Sequence, residues 1–466
     1  MDLVLLSRIQ FAWTVGFHYL FPPLNIGLSI LLVLMEGTYL RTRNPLYHRL
    51  ARFWTRIFGL TFALGVASGI VMEFQFGTNW SQYSRYVGDV FGSALAAEGI
   101  FAFFLESGFL GLLLFGWDRI KPGLHFLATV MVALGAHFSA IWIVVANSWQ
   151  QTPAGYVIDT SGPVPRAVTE NFWQVVFNPS FLERISHVYL AAWLAGAFFV
   201  LSVSAYYMLR GRCLDFARAG MRIGLIVAAV ASVFQLASGH SSAVGIAGYQ
   251  PAKFAATEAH YAAKEPADAY IFGWVDEENR KVYGLRIPRL LSILLHRDPN
   301  APVVGLEAFP RGDWPPVNIT FLAYHLMVII GFTLIGIMVL GALFLWRGTL
   351  ERRRWFLWIL VVSVVLPEMA NQFGWAVAEV GRQPWIVYGL MRTADAVSRS
   401  IGAGSVLSSL VLFTLIYILL FLLFIYLLNA KIQQGPPEPT ASEEPGRGKL
   451  EPGPITEEDL YEGGRA

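Results

Sequence analysis

Nine apolar stretches, each near the ~20 residues needed to cross a ~30 Å hydrocarbon layer, decide what this 466-residue chain can fold into. They lie near residues 12–35, 53–76, 92–117, 124–147, 182–209, 219–241, 319–346, 355–378 and 404–429. A segment inside a bilayer must satisfy its own backbone polar groups, so runs of this length predict helices. The expected class is therefore an all-α membrane protein of about nine transmembrane helices. Composition agrees, with 14% charged residues against ~25% in soluble domains. The net charge of +2 argues against nucleic acid as a partner. The start "MDLVLLSRIQFAW" lacks a basic leader and a small-residue cleavage site, and reads as an interfacial lead-in to a retained first span.

Arginine placement predicts the orientation. The connection after span one carries Arg41, Arg43, Arg49 and Arg52, and later alternate turns are similarly rich, ending with Arg347, Arg352, Arg353 and Arg354. The intervening connections are poorer, with Arg85 in 77–91 and Arg166 in 148–180. By the positive-inside rule the N-terminus is expected outside and the C-terminus inside. Four regions follow: helices one to six over 1–241, an outer loop over 242–318, helices seven to nine over 319–430, and a tail over 431–466. The loop is too aromatic to be plain linker. The tail is rich in Pro, Gly and Glu and is expected to be disordered and cytoplasmic.

Once the helices are oriented, their polar residues have depths. His18, His187, Met327 and Glu379 come from four spans and reach one outer level, with Arg382 one turn beyond Glu379. Imidazole, thioether and carboxylate can all ligate or tune haem iron. Each residue alone is as well read as packing: a hydrogen-bonded histidine, a gap-filling methionine, an i,i+3 ion pair. Their convergence makes a ligand set an equally good reading. The single cysteine, Cys213, and the absence of C-x-x-C-H mean that any haem is held without thioether bonds.

Span three carries "AAEGIFAFFLESGFLG", with Glu98 and Glu106 eight residues and ~12 Å apart along the axis, on roughly one side. Carboxylates at such depth usually line ion or proton routes. In the outer loop, "GYQPAKFAATEA" sets Lys253 and Glu258 among Tyr249, Phe254 and Tyr261. A base and a cation beside aromatic walls suit an amphipathic ring substrate that must lose protons, although a solvated surface helix would look the same.

Five segments carry a family resemblance: "SRIQFAWTVGFHYLFPPLNIGLS", "EGIFAFFLESGFLG", "IWIVVANSWQQTPAG", "GYQPAKFAATEA" and "GWAVAEVGRQPW". In this order, over about residues 7–430, the chain resembles subunit I of the cytochrome bd quinol oxidases. The resemblance implies a low-spin haem b held between His187 and Met327. It implies two high-spin haems, a haem b and a haem d (or a third haem b in its place), with His18 and Glu379 as ligands and Glu98 beside them. Trp375, at i−4 from Glu379, shares its face and can pack on a macrocycle. Glu106, Ser139 and Glu98 match a proton route, Lys253 and Glu258 match the quinol loop, and Arg382 is the arginine of the GRQPW motif. His325 stands where many members carry an arginine that contacts haem. The short loop resembles that of cyanide-insensitive forms.

The implied function is a terminal oxidase of the bacterial cytoplasmic membrane. It oxidises quinol (ubiquinol or menaquinol) at the outer face, reduces O2 to water through three haems, and builds a proton gradient without pumping. Subunit II is the implied partner, and a small accessory membrane subunit is left open. Two rivals remain. A haem-free proton-coupled transporter calls for broken midplane helices, and no paired Gly/Pro interruption stands out. A low-spin-haem quinone anchor leaves His18 and Glu379 unexplained.

Overall fold

A computed structural model describes residues 2–436. Among the described residues, nine helical segments are long and apolar enough to cross a membrane. They are Leu3–Thr42, Pro45–Thr78, Ser81–Phe115, Pro122–Gln151, Phe181–Arg210, Leu214–Tyr249, Val317–Trp346, Arg354–Val380 and Ala403–Gln434, called spans one to nine below. All nine overlap the stretches expected from hydropathy, and most run longer. Helices continue into the polar interface because local caps extend them: Asp2 Oδ1 accepts from Val4 N at 2.9 Å, so the expected lead-in is itself helix.

Several boundaries move as a result. Span six runs to Tyr249, so the outer loop begins at Gln250 and not at 242. Span nine runs to Gln434, which shortens the expected tail; residues 437–466 of that tail lie outside the described residues. The expectation of unbroken helices also needs correction. Span one is interrupted between His18 and Pro22, and span eight between Val362 and Val365. Proline explains both breaks. Pro22 and Pro23 offer no N–H to the carbonyls of His18 and Tyr19, and Phe21 N turns back to His18 O at 3.1 Å. Pro367 likewise gives none to Ser363. Span three is continuous but contains a wider π-turn, Glu98–Phe103.

One large core joins spans one, two, five and six. Leu28, Leu31 and Leu32 meet Phe53, Trp54, Ile57 and Phe58, with Phe198, Val200 and Leu201 from span five. Spans one and five cross most closely at Gly27 and Gly196. A Cβ on Gly196 would stand 2.4 Å from the Gly27 carbonyl carbon, so only glycine lets the backbones meet. Nearer the arginine-rich ends, Glu36, His125 and Thr129 form a buried polar tie between spans one and four, with His125 Nδ1 2.7 Å and Thr129 Oγ1 2.5 Å from the Glu36 carboxylate.

The outer loop is folded. It holds a short helix Pro251–Thr257, an antiparallel hairpin of strands Ala269–Asp276 and Lys281–Ile287, and a helix Leu290–His296. Its small core (Ala255, Tyr261, Val275, Leu306) closes against Val317 and Phe321 of span seven.

The Gly27–Gly196 crossing is testable. Gly196→Ala must push two backbones apart, at an overpacking cost of about 1–3 kcal/mol, and should lower the thermal midpoint of the detergent-solubilised protein. Gly336→Ala, whose Cβ meets nothing within 4 Å, should leave it unchanged. Equal midpoints for the two variants would show that the crossing is not tight.

Candidate functional site

His18 ends the first half of span one, where the proline break frees its ring from a regular helical face. Its Nδ1 lies 3.0 Å from Ser68 Oγ, and Ser68 donates its own proton to Leu64 O at 2.7 Å. A serine that donates to Leu64 O accepts from the ring, and that arrangement goes with the tautomer protonated on Nδ1. Nε2 keeps its lone pair, as an axial ligand requires. Next in sequence, Tyr19 stacks on Trp375 of span eight, with centroids 5.5 Å apart.

Glu379 lies near the end of span eight inside a charged knot. Arg382 pairs with its Oε2, and Asn147 Nδ2 donates to its Oε1 at 2.9 Å. Arg184 holds the Asn147 side-chain oxygen. Lys253 Nζ donates to Gln151 Oε1 and to Ala378 O, each at 2.9 Å, and Gln151 donates to the same Ala378 carbonyl. Two guanidinium groups and the Lys253 amine thus gather around one carboxylate. Burial, reinforced by Arg184 beside it, pushes the Lys253 pKa well below the usual lysine range. Arg382 is 4% exposed, yet its Nε and Nη1 have no partner. The knot is short of negative charge and of acceptors, and a haem brings two propionates.

His187 follows Arg184 by three residues on span five. Its ring meets Gln235 Nε2 at 3.0 Å and Ser238 Oγ at 3.3 Å, both from span six. Met327 of span seven faces span eight, where a Cβ on Gly374 would lie 3.1 Å from its sulfur. Glycines also face the two histidines: a Cβ on Gly69 would lie 3.1 Å from His18 Cε1, and one on Gly239 3.7 Å from His187 Cε1. Bare backbone against three candidate ligands is what close approach of a flat macrocycle needs. The residues present fit haem.

On span three, Ser139 Oγ donates to Glu98 Oε1 at 2.7 Å, while Glu106 lies against Gly135. Gly135 and Ser139 are one turn apart on span four, so both carboxylates face the same helix. The π-turn helps here, because its i→i+5 bonding widens the turn and rotates Glu98 toward the side of Glu106. No periodicity argument reveals that turn.

Lys253 and Glu258 are not brought together. They leave opposite sides of the short loop helix, Lys253 entering the charged knot and Glu258 lying buried beside Tyr324 of span seven. Burial raises the Glu258 pKa to about 8. His325 is pinned between Phe321 O at 2.9 Å and the hairpin carbonyl Tyr270 O at 3.0 Å, so its ring serves the contact between loop and helix.

Sequence reasoning missed Ser68, Tyr19, Asn147, Gln151 and Arg184. A signal existed for three of them. Asn147 and Gln151 sit in the conspicuous polar run "NSWQQT", and Arg184 stands one turn from His187 at a span end.

Comparison with known proteins identifies the family. The model of the family described as cytochrome bd terminal oxidase subunit I matches residues 6–436. The cytochrome bd ubiquinol oxidase subunit 1 of Bacillus subtilis (strain 168) is 39% identical over 447 residues, covering 93% of this chain and 94% of that protein. The cytochrome bd-II ubiquinol oxidase subunit 1 of Escherichia coli (strain K12) is 35% identical over 504 residues, covering 93% of this chain and 97% of its own. The solved structure of bd oxidase from Geobacillus thermodenitrificans superimposes with a TM-score of 0.85 at 33% identity, covering 93% of this chain and 99% of that one. With the match running almost end to end and the ligand-type residues gathered as described, the chain belongs to the cytochrome bd terminal oxidase subunit I family.

Proposed function

We propose that this chain is the quinol-oxidising, oxygen-reducing subunit of a bacterial cytoplasmic-membrane oxidase, with its N-terminus and folded loop outside and its C-terminus inside. Subunit II is its partner, and quinol and O2 are its substrates. The observation that carries the reading is the charged knot. Through Lys253, whose Nζ donates to the carbonyl of Ala378 next to Glu379, it ties the folded outer loop to the end of span eight, so the quinol side and the oxygen side share one polar unit.

His187 and Met327 would hold a low-spin haem b; His18 and Glu379 would hold two high-spin haems, with Glu98 adjacent. Whether the third is haem d or haem b is left to spectroscopy. Bound haem supplies the electron carriers and the iron that takes oxygen. The chain supplies the rest. Ser68 orients the His18 ring. Trp375 and Tyr19 form an aromatic wall beside these ligands. Arg382, Arg184 and Lys253 hold negative charge at the outer edge of the site. Glu258, enclosed and close to Tyr324, accepts a quinol hydroxyl proton when ionised and releases it outside. Glu106, Ser139 and Glu98 hand protons inward from the cytoplasmic side. Quinol protons leave outside while protons for water enter from inside, so charge separates without a pump. A reduced-minus-oxidised absorption spectrum of the purified complex tests the reading: three haem signals support it, and no chromophore would return the transporter, whose broken helices this chain does possess.

Three expectations follow from these roles. Met327→Leu removes the thioether and should turn the low-spin spectrum high-spin, whereas His325→Ala should leave it low-spin; the reverse pattern would displace the assignment on span seven.

The carboxylate form of Glu258 is the proton acceptor, and its pKa is about 8. Quinol-driven oxygen uptake should therefore rise as pH passes upward through 8, and Glu258→Gln should flatten that limb while haem content stays normal. A limb unchanged in the variant would move proton release to another group.

Glu106→Gln keeps shape and hydrogen bonding but cannot release a proton. It should assemble and be reduced by quinol normally, yet complete single-turnover oxygen reduction about a hundredfold more slowly. Glu106→Asp should recover part of the rate. A wild-type rate in Glu106→Gln would make the residue structural.

A further inference from the structure

The hairpin 269–287 in the outer loop is not explained by catalysis. Its strands pair Phe272 with Leu285 and Trp274 with Tyr283, after a bulge at Ile271. Residues two apart in a strand share a face, so these four large side chains project from one side of the ribbon. They are between 54 and 65% exposed. The other side carries Val275 and Val282, which pack on the loop core and on Val317 and Phe321 of span seven. One face is therefore anchored to protein and the other is bare, aromatic and apolar. A patch of this kind on a folded loop marks an interaction surface.

Two contacts fix the depth of that surface. At the base of the hairpin, Tyr270 O lies 3.0 Å from His325 Nε2; at the tip, Glu277 Oε1 lies 2.9 Å from Asn318 N. Span seven, Val317–Trp346, has 30 residues. A ~30 Å hydrocarbon layer centred on it covers about 20 of them, roughly residues 322–341. His325 falls just inside that boundary and Asn318 just outside. The seven residues from Tyr270 to Glu277 reach ~23 Å along a strand, while the matching helix residues rise only ~10 Å. The ribbon consequently leans toward the membrane plane. Its turn, "DEENRK", is charged and belongs in water. On span seven, Ile319, next to Asn318, is also exposed, so apolar surface is bare on the helix as well as on the hairpin at this level.

We propose that Phe272, Trp274, Tyr283 and Leu285 are seated in the outer-leaflet interface of the bilayer, and that the hairpin is the lipid anchor of the loop carrying Lys253 and Glu258. Tryptophan and tyrosine favour this depth, where an apolar ring meets lipid and its polar edge stays hydrated. A lipid surface fits better than a protein partner because apolar surface is bare on both the hairpin and a membrane span at the boundary level. The largest uncovered helix faces, on spans three and nine, lie elsewhere in the chain. The anchor needs only the transmembrane reading of span seven, so its failure would leave the oxidase reading intact.

Depth-resolved spin labelling tests it. Cys213 is the one cysteine, so a Cys213→Ser background accepts single labels at Phe272→Cys, Leu285→Cys and, at the tip, Asn279→Cys. The whole two-subunit complex would be placed in liposomes of phosphatidylcholine with phosphatidylglycerol. Collision rates with oxygen and with a water-soluble nickel chelate are then compared at each site. The anchor predicts high oxygen and low nickel access at 272 and 285, and several-fold higher nickel access at 279. Equal, water-like nickel access at all three positions would overturn it. So would exclusion of both reagents at 272 and 285, which would assign the face to a protein contact. Oxygen uptake of each labelled variant confirms that the complex is folded.

Discussion

The charged knot around Glu379 is the interaction on which the functional half of the molecule depends. Four polypeptide segments meet there: span four through Asn147 and Gln151, span five through Arg184, the loop helix through Lys253, and the end of span eight through Glu379 and Arg382. In a low-dielectric setting such charges tolerate only compensated arrangements. Two arginines and the Lys253 amine around one carboxylate hold the segments in register and leave the site short of negative charge. The unpartnered Nε and Nη1 of Arg382 show where that shortage of acceptors is concentrated.

Interrupted helices serve the site as much as regular ones do. The break ahead of Pro22 puts His18 at a helix end, where its ring can turn to Ser68 and leave Nε2 free. The π-turn in span three sets Glu98 and Glu106 toward one neighbour. Each irregularity forfeits regular backbone bonding inside a bilayer, which is tolerated where the segment is covered by protein or lines a cavity. Their coincidence with ligand-type and acidic residues is thus a structural reason to place the chemistry there. The Glu36–His125–Thr129 tie shows the contrasting case: a buried polar set whose contacts are met within the fold.

The outer loop combines two demands. Its inner side must deliver Lys253 and Glu258 to different neighbours, and its small core must stay against the first turns of span seven. His325 meets the second demand by lying between the helix carbonyl of Phe321 and the hairpin carbonyl of Tyr270, donating its one N–H to either of them. A ring so placed ties span seven to the hairpin.

Much of the architecture was determined by the sequence alone. Span number and approximate placement follow from the length of apolar runs, because bilayer thickness allows little choice. His18, His187, Met327 and Glu379 were legible as ligand-type residues, since polar side chains in such runs are rare. Tertiary structure alone decided the partners: Ser68 against His18, Arg184 and Lys253 around Glu379, and Glu258 apart from Lys253 with Tyr324. Hydropathy reports whether a residue can enter the membrane, whereas helix rotation, proline breaks and the π-turn determine what it meets there. Those depend on packing between segments distant in the chain, at the scale of one turn, and no local pattern carries that information.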